Sequence, residues 1–288
     1  MNKINILLVL IVVLLAGCLS SRSSQTAGEA DPLRVMTFNI RYDNSDDGPD
    51  AWPLRKELAA SMIRFHGADV AGLQEALKGQ IDDLQALLPG YAWLGVGRAD
   101  GREAGEYSPI FYRRDRFDVL GQETFWLSET PDVPGSKSWD AAIERVVTWA
   151  ELRDLETDMR FLAVNTHFDH RGEEARARSA GLLVEKIAEI AGDLPVVLTG
   201  DFNAVQAAEP YRILSDALSD ALYVTEQPHH GPTSTWAGFD ALVPDRRIDY
   251  IFVNERMRVL KHAVLTDTWG DRYPSDHLPV LAEMTIRP

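Results

Sequence analysis

The sequence predicts an α/β fold in which helices cover sheets, and two observations carry that prediction. Short, nearly continuous apolar runs recur along the chain, as strands buried on both faces require. Between several of them lie longer segments with apolar residues at helical spacing, and strands alternating with helices pack as α/β layers. Composition agrees: 45% of the 288 residues are hydrophobic and 25% charged, ample for a large core.

In order, strands are expected over Leu33–Ile40, Asp69–Leu73, Ser108–Tyr112, Val146–Leu152, Arg160–Thr166, Pro195–Thr199, Ile248–Val253 and Pro279–Met284. Helices are expected over Leu54–His66, Gln80–Leu88 and Glu173–Ala191; the last sets Ala, Leu and Ile against a face of Glu and Lys. Neither an internal repeat nor a second linker interrupts the pattern, so one domain is expected from about residue 33 to 288. Strand order cannot be read from such runs.

The N-terminus reads differently. Lys3 precedes an apolar run from Ile4 to Leu15, too short for a membrane span of about 20 residues but suited to a secretory signal. Leu15-Ala16-Gly17-Cys18 resembles the lipobox of bacterial lipoproteins, and Cys18 is the sole cysteine, so no intrachain disulfide can form. That resemblance implies a signal peptide over 1–17, cleavage before an acylated Cys18, and a membrane-anchored lipoprotein of the cell envelope. Residues 18–32, rich in Ser with Gln, Thr, Ala and Gly, suit a flexible tether.

Polar residues gather at the ends of the expected strands: Asn39, Glu75, His167, Asp201 and Asn203, Asp249, and Asp276 with His277. Strand ends are where layered α/β folds place ligands and catalytic groups. The set is rich in oxygen, which suits a hard cation such as Mg²⁺ or Mn²⁺, and its two histidines offer acid–base chemistry near neutral pH. Taken singly, each piece also reads blandly. Asp201 and Asn203 fit a turn, Asp276 fits ordinary loop polarity, and His167 fits a structural histidine.

Taken together and in order, Thr37-Phe38-Asn39-Ile40, Leu73-Gln74-Glu75, Asn165-Thr166-His167, Gly200-Asp201-Phe202-Asn203, Ile248-Asp249-Tyr250-Ile251 and Ser275-Asp276-His277-Leu278-Pro279-Val280 resemble the endonuclease/exonuclease/phosphatase superfamily. The resemblance runs from Leu33 to the C-terminus. It implies a deoxyribonuclease-I-like four-layer α/β sandwich, two packed mixed β-sheets flanked by helices, and metal-dependent hydrolysis of phosphoesters using one or two Mg²⁺ or Mn²⁺ ions.

By the same resemblance, Glu75, Asn39 and Asp276 hold the metal, with Asp201 as a further ligand. Asp201 and Asn203 orient the attacking water, and Asn203 also touches the phosphate. His277, held by Asp249, binds the phosphate or acts as base. His167 lies near the scissile phosphate, paired with Glu106, and Arg145 contacts that phosphate. One departure is Arg41, which stands where abasic-site endonucleases carry an aspartate. Arg41 to Asn44, Asp46 to Gly48, Trp52 and Arg55 resemble an uncharacterised bacterial subgroup; they read either as a structured loop or as a pocket wall with Arg41 and Arg55 as anion contacts. Trp139, Trp236 and Phe239 read as pins of their loops or as stacking platforms for a sugar or base. His229 and His230 read as part of a solvated loop.

A formal net charge of -15 and a pI near 4.9 weigh against sequence-independent binding of nucleic acid. The expected substrate is therefore a small phosphorylated compound: a sugar phosphate, or a phosphodiester from a glycoconjugate, lipid head group or nucleotide. The alternatives are a surface nuclease acting on DNA or RNA and an inactive binding module on the same scaffold. A monomer is expected.

Overall fold

A computed structural model describes residues 31–287. The expected leader, Cys18 and nearly all of the tether lie outside the described residues. In chain order come β1 (Leu33–Asn39), α1 (Trp52–Phe65), β2 (Val70–Gln74), α2 (Lys78–Leu87), β3 (Tyr91–Leu94), β4 (Ile110–Arg113), β5 (Phe117–Trp126), β6 (Val146–Asp154) and β7 (Arg160–His167). There follow α3 (Glu173–Ala191), β8 (Val196–Asp201), α4 (Glu209–Ala217), β9 (Ser219–Asp220), α5 (Ala221–Val224), β10 (Asp249–Val253), β11 (Met257–Val264) and β12 (Val280–Ile286).

The strands form two six-stranded sheets, ordered β11-β12-β1-β2-β4-β3 and β5-β6-β7-β8-β10-β9. Each is mixed. β1 runs parallel to β2 and β7 parallel to β8, while the other pairs are antiparallel. Side-chain alternation explains the layers. On β1, Leu33 and Val35 join Val70, Phe161, Ala163, Val197 and Ile251 in a core between the sheets. Met36 and Phe38 point the other way, against Ala59, Ile63, Ile81 and Leu84 of α1 and α2. The outer face of the second sheet packs Leu162, Val164, Leu198 and Phe252 against Leu183 and Ile187 of α3 and Leu214 of α4. The result is helix, sheet, sheet, helix: the four-layer sandwich that the motifs imply.

Local chemistry sets the helix ends. Pro53 stands in the first turn of α1, where its missing N–H costs nothing. Gln80 accepts from Leu77 N at 3.1 Å and from Asp43 N at 2.9 Å, so it caps α2 while holding the loop after β1. Glu173 and Glu174 occupy the first turn of α3, where negative charge suits the helix dipole. Asp140, from a distant loop, accepts from Ala175 N at 2.7 Å.

A polar tie joins the sheets near their site end. Asn165 donates to Leu73 O at 2.7 Å and Pro109 O at 3.0 Å, and its oxygen accepts from Gln74 Nε2 at 2.7 Å and Thr199 Oγ1 at 3.1 Å. The approach demands a glycine opposite: a Cβ on Gly72 would lie 2.1 Å from Thr199 Oγ1.

Candidate active site

Three neighbouring strands end at one rim. Asn39 closes β1, His167 closes β7 and Asp201 closes β8, while Asp249 opens antiparallel β10 directly opposite Asp201. The expected strands Leu33–Ile40 and Ile248–Val253 already contain Asn39 and Asp249, whereas those ending at Thr166 and Thr199 are extended by the ladder to His167 and Asp201. Beyond the strands the backbone bends sharply. Arg41, Glu75 and Asn203 take positive φ values of 55°, 62° and 48°, a region that costs non-glycine residues of order 1–3 kcal/mol each. Three such turns on one rim aim side chains where a relaxed chain would not.

Asp201 is the hub. It is buried, and its Oδ2 accepts from Asn39 Nδ2 at 3.0 Å, lies 3.4 Å from His167 Nε2 and lies 3.8 Å from His277 Nε2. Its Oδ1 accepts from Asn203 N at 2.9 Å. Burial, and then the charge of Asp249, push its pKa up to about 7. His277 Nδ1 meets Asp249 Oδ2 at 2.9 Å. Burial opposes charge on His277, but Asp249 and Asp201 outweigh it and hold its pKa well above the ordinary value. Thr235 Oγ1 steadies the pair by accepting from Ile248 N at 3.1 Å and Asp249 N at 3.2 Å.

His167 contrasts with His277. Burial, and then Arg145 and Arg98, drive its pKa well below the ordinary value, so it is neutral. Asn203 Nδ2 donates to Phe168 O at 3.0 Å, which fixes the amide orientation and turns its other N–H to His167 Nε2 at 3.0 Å. That assignment leaves the ring proton on Nδ1, a buried atom with no hydrogen-bond partner.

On the flank, Glu75 accepts from Asn39 Nδ2 at 3.0 Å and from Tyr42 N at 3.1 Å. Asp276 follows Ser275, whose hydroxyl donates to Asn39 O at 2.7 Å. Burial raises the Asp276 pKa, and Glu75 adds to the rise. The backbone oxygen of Asp276 accepts from Ala237 N at 2.8 Å and Gly238 N at 3.0 Å. Asp201, Asp249 and His277 offer ligand atoms within 4.8 Å of one another, one arrangement able to hold a cation. Since Asp249 and His277 already satisfy each other, the carboxylates of Glu75, Asp276 and Asp201 are the stronger donors for a hard, oxygen-seeking ion. Asp249 Oδ1 is buried without a hydrogen-bond partner.

Two readings of single residues change, those of Glu106 and His229, and the choice left open for Arg55 is decided. Glu106 does not orient His167: Arg98 takes its carboxylate at 2.6 and 2.8 Å, because the loop between β3 and β4 folds back and its backbone joins Arg98 N to Glu106 O at 3.0 Å. Arg55 is no anion contact. It is fully buried and donates to Asp50 O at 2.7 Å, Arg41 O at 2.7 Å and Ile40 O, so it braces the loop behind the rim. His229 is not solvated loop: it faces His262 at 2.9 Å and Pro232 O at 2.9 Å, while His230 is exposed. Arg41 pairs with Asp47 at 3.0 Å and lies 3.9 Å from Glu75.

Arg145 lies near His167, its Nη2 3.1 Å from His170 Nδ1 and its Nε 3.9 Å from Asp169, with Nε and Nη1 lacking hydrogen-bond partners. Sequence reasoning passed over Arg98, Asp169, Thr235 and Ser275. Asp169 stands in a His-Phe-Asp-His run that flags it, and Ser275 opens the motif that carries Asp276 and His277; Arg98 and Thr235 act through folded loops and carry no local signal.

Comparison with known proteins agrees with the geometry. The sequence profile of the Endonuclease/Exonuclease/phosphatase family matches residues 36–277. An endonuclease/exonuclease/phosphatase from Bacteroides vulgatus is 42% identical, with a TM-score of 0.85 covering 90% of this chain and 100% of that one. The Bacteroides thetaiotaomicron mannosyl-6-phosphatase is 39% identical, with a TM-score of 0.84 covering 88% and 100%. The CCR4-Not complex 3'-5'-exoribonuclease subunit Ccr4 of Aspergillus clavatus is 26% identical over 194 residues, 57% of this chain and 29% of that protein. The chain spans between 39% and 67% of the length of the first curated relatives it matches. With a matching profile across most of its length and the motif residues gathered on one rim, the chain belongs to the endonuclease/exonuclease/phosphatase family.

Proposed function

We propose that the chain is a divalent-cation-dependent hydrolase of small phosphoesters, with a sugar phosphate as its foremost substrate. The observation that carries this reading is the convergence of two histidines, His167 at 3.4 Å and His277 at 3.8 Å, on the buried Asp201 carboxylate. In this reading Glu75, Asp276 and Asp201 would hold Mg²⁺ or Mn²⁺, and the ion would supply charge neutralisation at the phosphoryl oxygens. Asn39 stands beside them, donating Nδ2 to Glu75 and Asp201 while its Oδ1 accepts from Arg41 N at 2.9 Å. Asp201 and Asn203 would orient the attacking water, and the Asp201 carboxylate would accept its proton. His277, kept protonated by Asp249, donates to a phosphoryl oxygen. Arg145, two of whose buried nitrogens lack hydrogen-bond partners, lies near His167. Water gives a proton to Asp201 and forms the new P–O bond, the ester P–O bond breaks, and the leaving alkoxide takes up one proton from solvent, so the protons balance.

The mannosyl-6-phosphatase, similar over nearly the whole folded chain, supports a sugar phosphate. The similarity to an exoribonuclease subunit favours a second reading, a surface nuclease, against which the net charge of -15 counts. A panel of sugar phosphates, phosphodiesters and RNA, each with Mg²⁺, separates them: turnover of RNA above every sugar phosphate defeats the first reading. Anchoring to the cell envelope through acylated Cys18 belongs to the same proposal. Fatty-acid labelling that persists in Cys18→Ser contradicts that part.

A further inference from the structure

Beside the rim lies a groove of about 430 Å³, lined by Pro49, Asp50, Leu54, Phe239, Trp269, Asp271 and Arg272 among others. It adjoins the reaction centre through shared structure. Phe239 follows the Ala237-Gly238 backbone that holds Asp276. Its ring lies 5.4 Å under the guanidinium of Arg55, which braces Ile40 and Arg41. The opposite wall is the turn around Trp269, closed by Trp269 N to Arg272 O at 3.0 Å and tied to α1 by Arg272 Nη1 to Leu54 O at 3.2 Å. Trp269 is 41% exposed. Phe239 takes a positive φ of 66°, so the chain holds an aromatic side chain in place at a backbone cost.

We propose that this groove receives the carbohydrate part of the substrate, a pyranose ring carrying or adjoining the phosphate. The inference rests on the sugar-phosphate hydrolase reading and adds where the sugar is held. The lining fits a sugar on chemical grounds. Two aromatic rings offer faces to the apolar C–H surface of a pyranose, while Asp50 and Asp271 offer carboxylates for paired hydroxyls and Arg272 a donor. A few convergent polar groups on an apolar wall make an orienting site, and the volume suits a small ligand. A lipid tail needs a continuous apolar lining, and two carboxylates against one arginine repel a polyanionic nucleic-acid strand.

The test compares mannose 6-phosphate with methyl phosphate, which has no ring to fill the groove, in wild type and in Trp269→Ala, Trp269→Phe and Asp271→Asn, with Mg²⁺ present. The ratio of the two kcat/KM values should fall about tenfold in Trp269→Ala, the scale of one lost stacking contact. The loss should fall mainly in KM, and Trp269→Phe should recover most of it. Phe65→Ser, on the same helix face but outside the groove, should keep the ratio. Saturation-transfer NMR with methyl α-mannoside gives a readout independent of turnover: contact in wild type and its loss in Trp269→Ala support the groove even if no phosphate is released. An unchanged ratio in Trp269→Ala, or no mannoside contact in wild type, overturns the proposal. So does a Trp269→Ala variant whose lost binding is to phospholipid vesicles instead.

Discussion

The two ends of the sandwich use the same residue types to opposite effect. At the end remote from the rim, buried Arg116 donates to Asp69 at 2.8 Å, to Asp154 at 3.1 and 3.3 Å, and to Asp31 O at 2.8 Å, so each guanidinium nitrogen is satisfied. Asp69 also accepts from Arg34 N at 2.8 Å and Arg113 at 3.3 Å. At the rim, buried carboxylates crowd one another and neutral imidazole sits beside arginine. Gln74, Arg98, Arg145, His167 and Asp249 each leave a buried polar atom without a hydrogen-bond partner. Leaving such groups unpaired costs roughly 1–3 kcal/mol apiece. Among the described residues most of that cost falls at the rim, where a ligand supplies the missing partners, although Arg153 Nε beside Asp154 at the far end and His262 Nε2 are also buried without one.

The sharpest way to break this comparison is to remove charge at the rim. Glu75→Ala and Asp201→Ala should lose roughly a thousandfold or more in turnover, as removal of a principal electrostatic group does, while remaining folded by circular dichroism. Activity within tenfold of wild type in either variant contradicts the assignment of the rim as the reaction centre.

Next come the histidines. His277→Ala and His167→Ala should each lower kcat by about 10²–10⁴. Because Asp249 and His277 act as a unit, the double variant His277→Ala/Asp249→Asn should be little slower than His277→Ala alone; losses that multiply refute the pair. Glu106→Gln should leave the behaviour of His167 unchanged, since Arg98 holds that carboxylate.

At the far end the effect moves from rate to stability. Asp69→Ala strips Arg116 of a buried partner and should cost about 3–5 kcal/mol in denaturant unfolding, with kcat preserved below the melting transition. A kcat loss without a stability loss reverses the roles of the two ends.

The smallest effect concerns pH. The Asp201 carboxyl is pushed up to about 7 in the folded chain from an ordinary 3.8. Its favourable contribution is therefore present below pH 3.8 and lost as pH rises toward 7. In cation-free protein, Asp201→Asn should gain in Tm relative to wild type across that window. A gain that is flat with pH shows that Asp201 is not carrying the strain.

Much of the site was legible because each motif stands at one end of a buried strand, and a hydrophobic run with a carboxylate or imidazole at its border marks a rim. Glu75 and Asp201 are visible after such runs, Asp249 and His277 before them. The two-sheet topology was not, since β1 pairs with β12 across most of the chain and no local pattern encodes that. β5 escaped because it sits at a sheet edge, where polar Asp118, Gln122 and Glu123 break the apolar run. β11 escaped because its buried positions alternate with Arg258 and Lys261. The Arg98–Glu106 clamp depends on how a loop closes, so the expected Glu106–His167 pair failed although both residues lie near the rim.

One measurement reaches the central claim most directly: phosphate release from mannose 6-phosphate by protein stripped of metal with chelator, before and after adding Mg²⁺ or Mn²⁺. The account predicts no release above background in chelator, recovery with either ion, and no recovery in Glu75→Ala. Full release in excess chelator would contradict it.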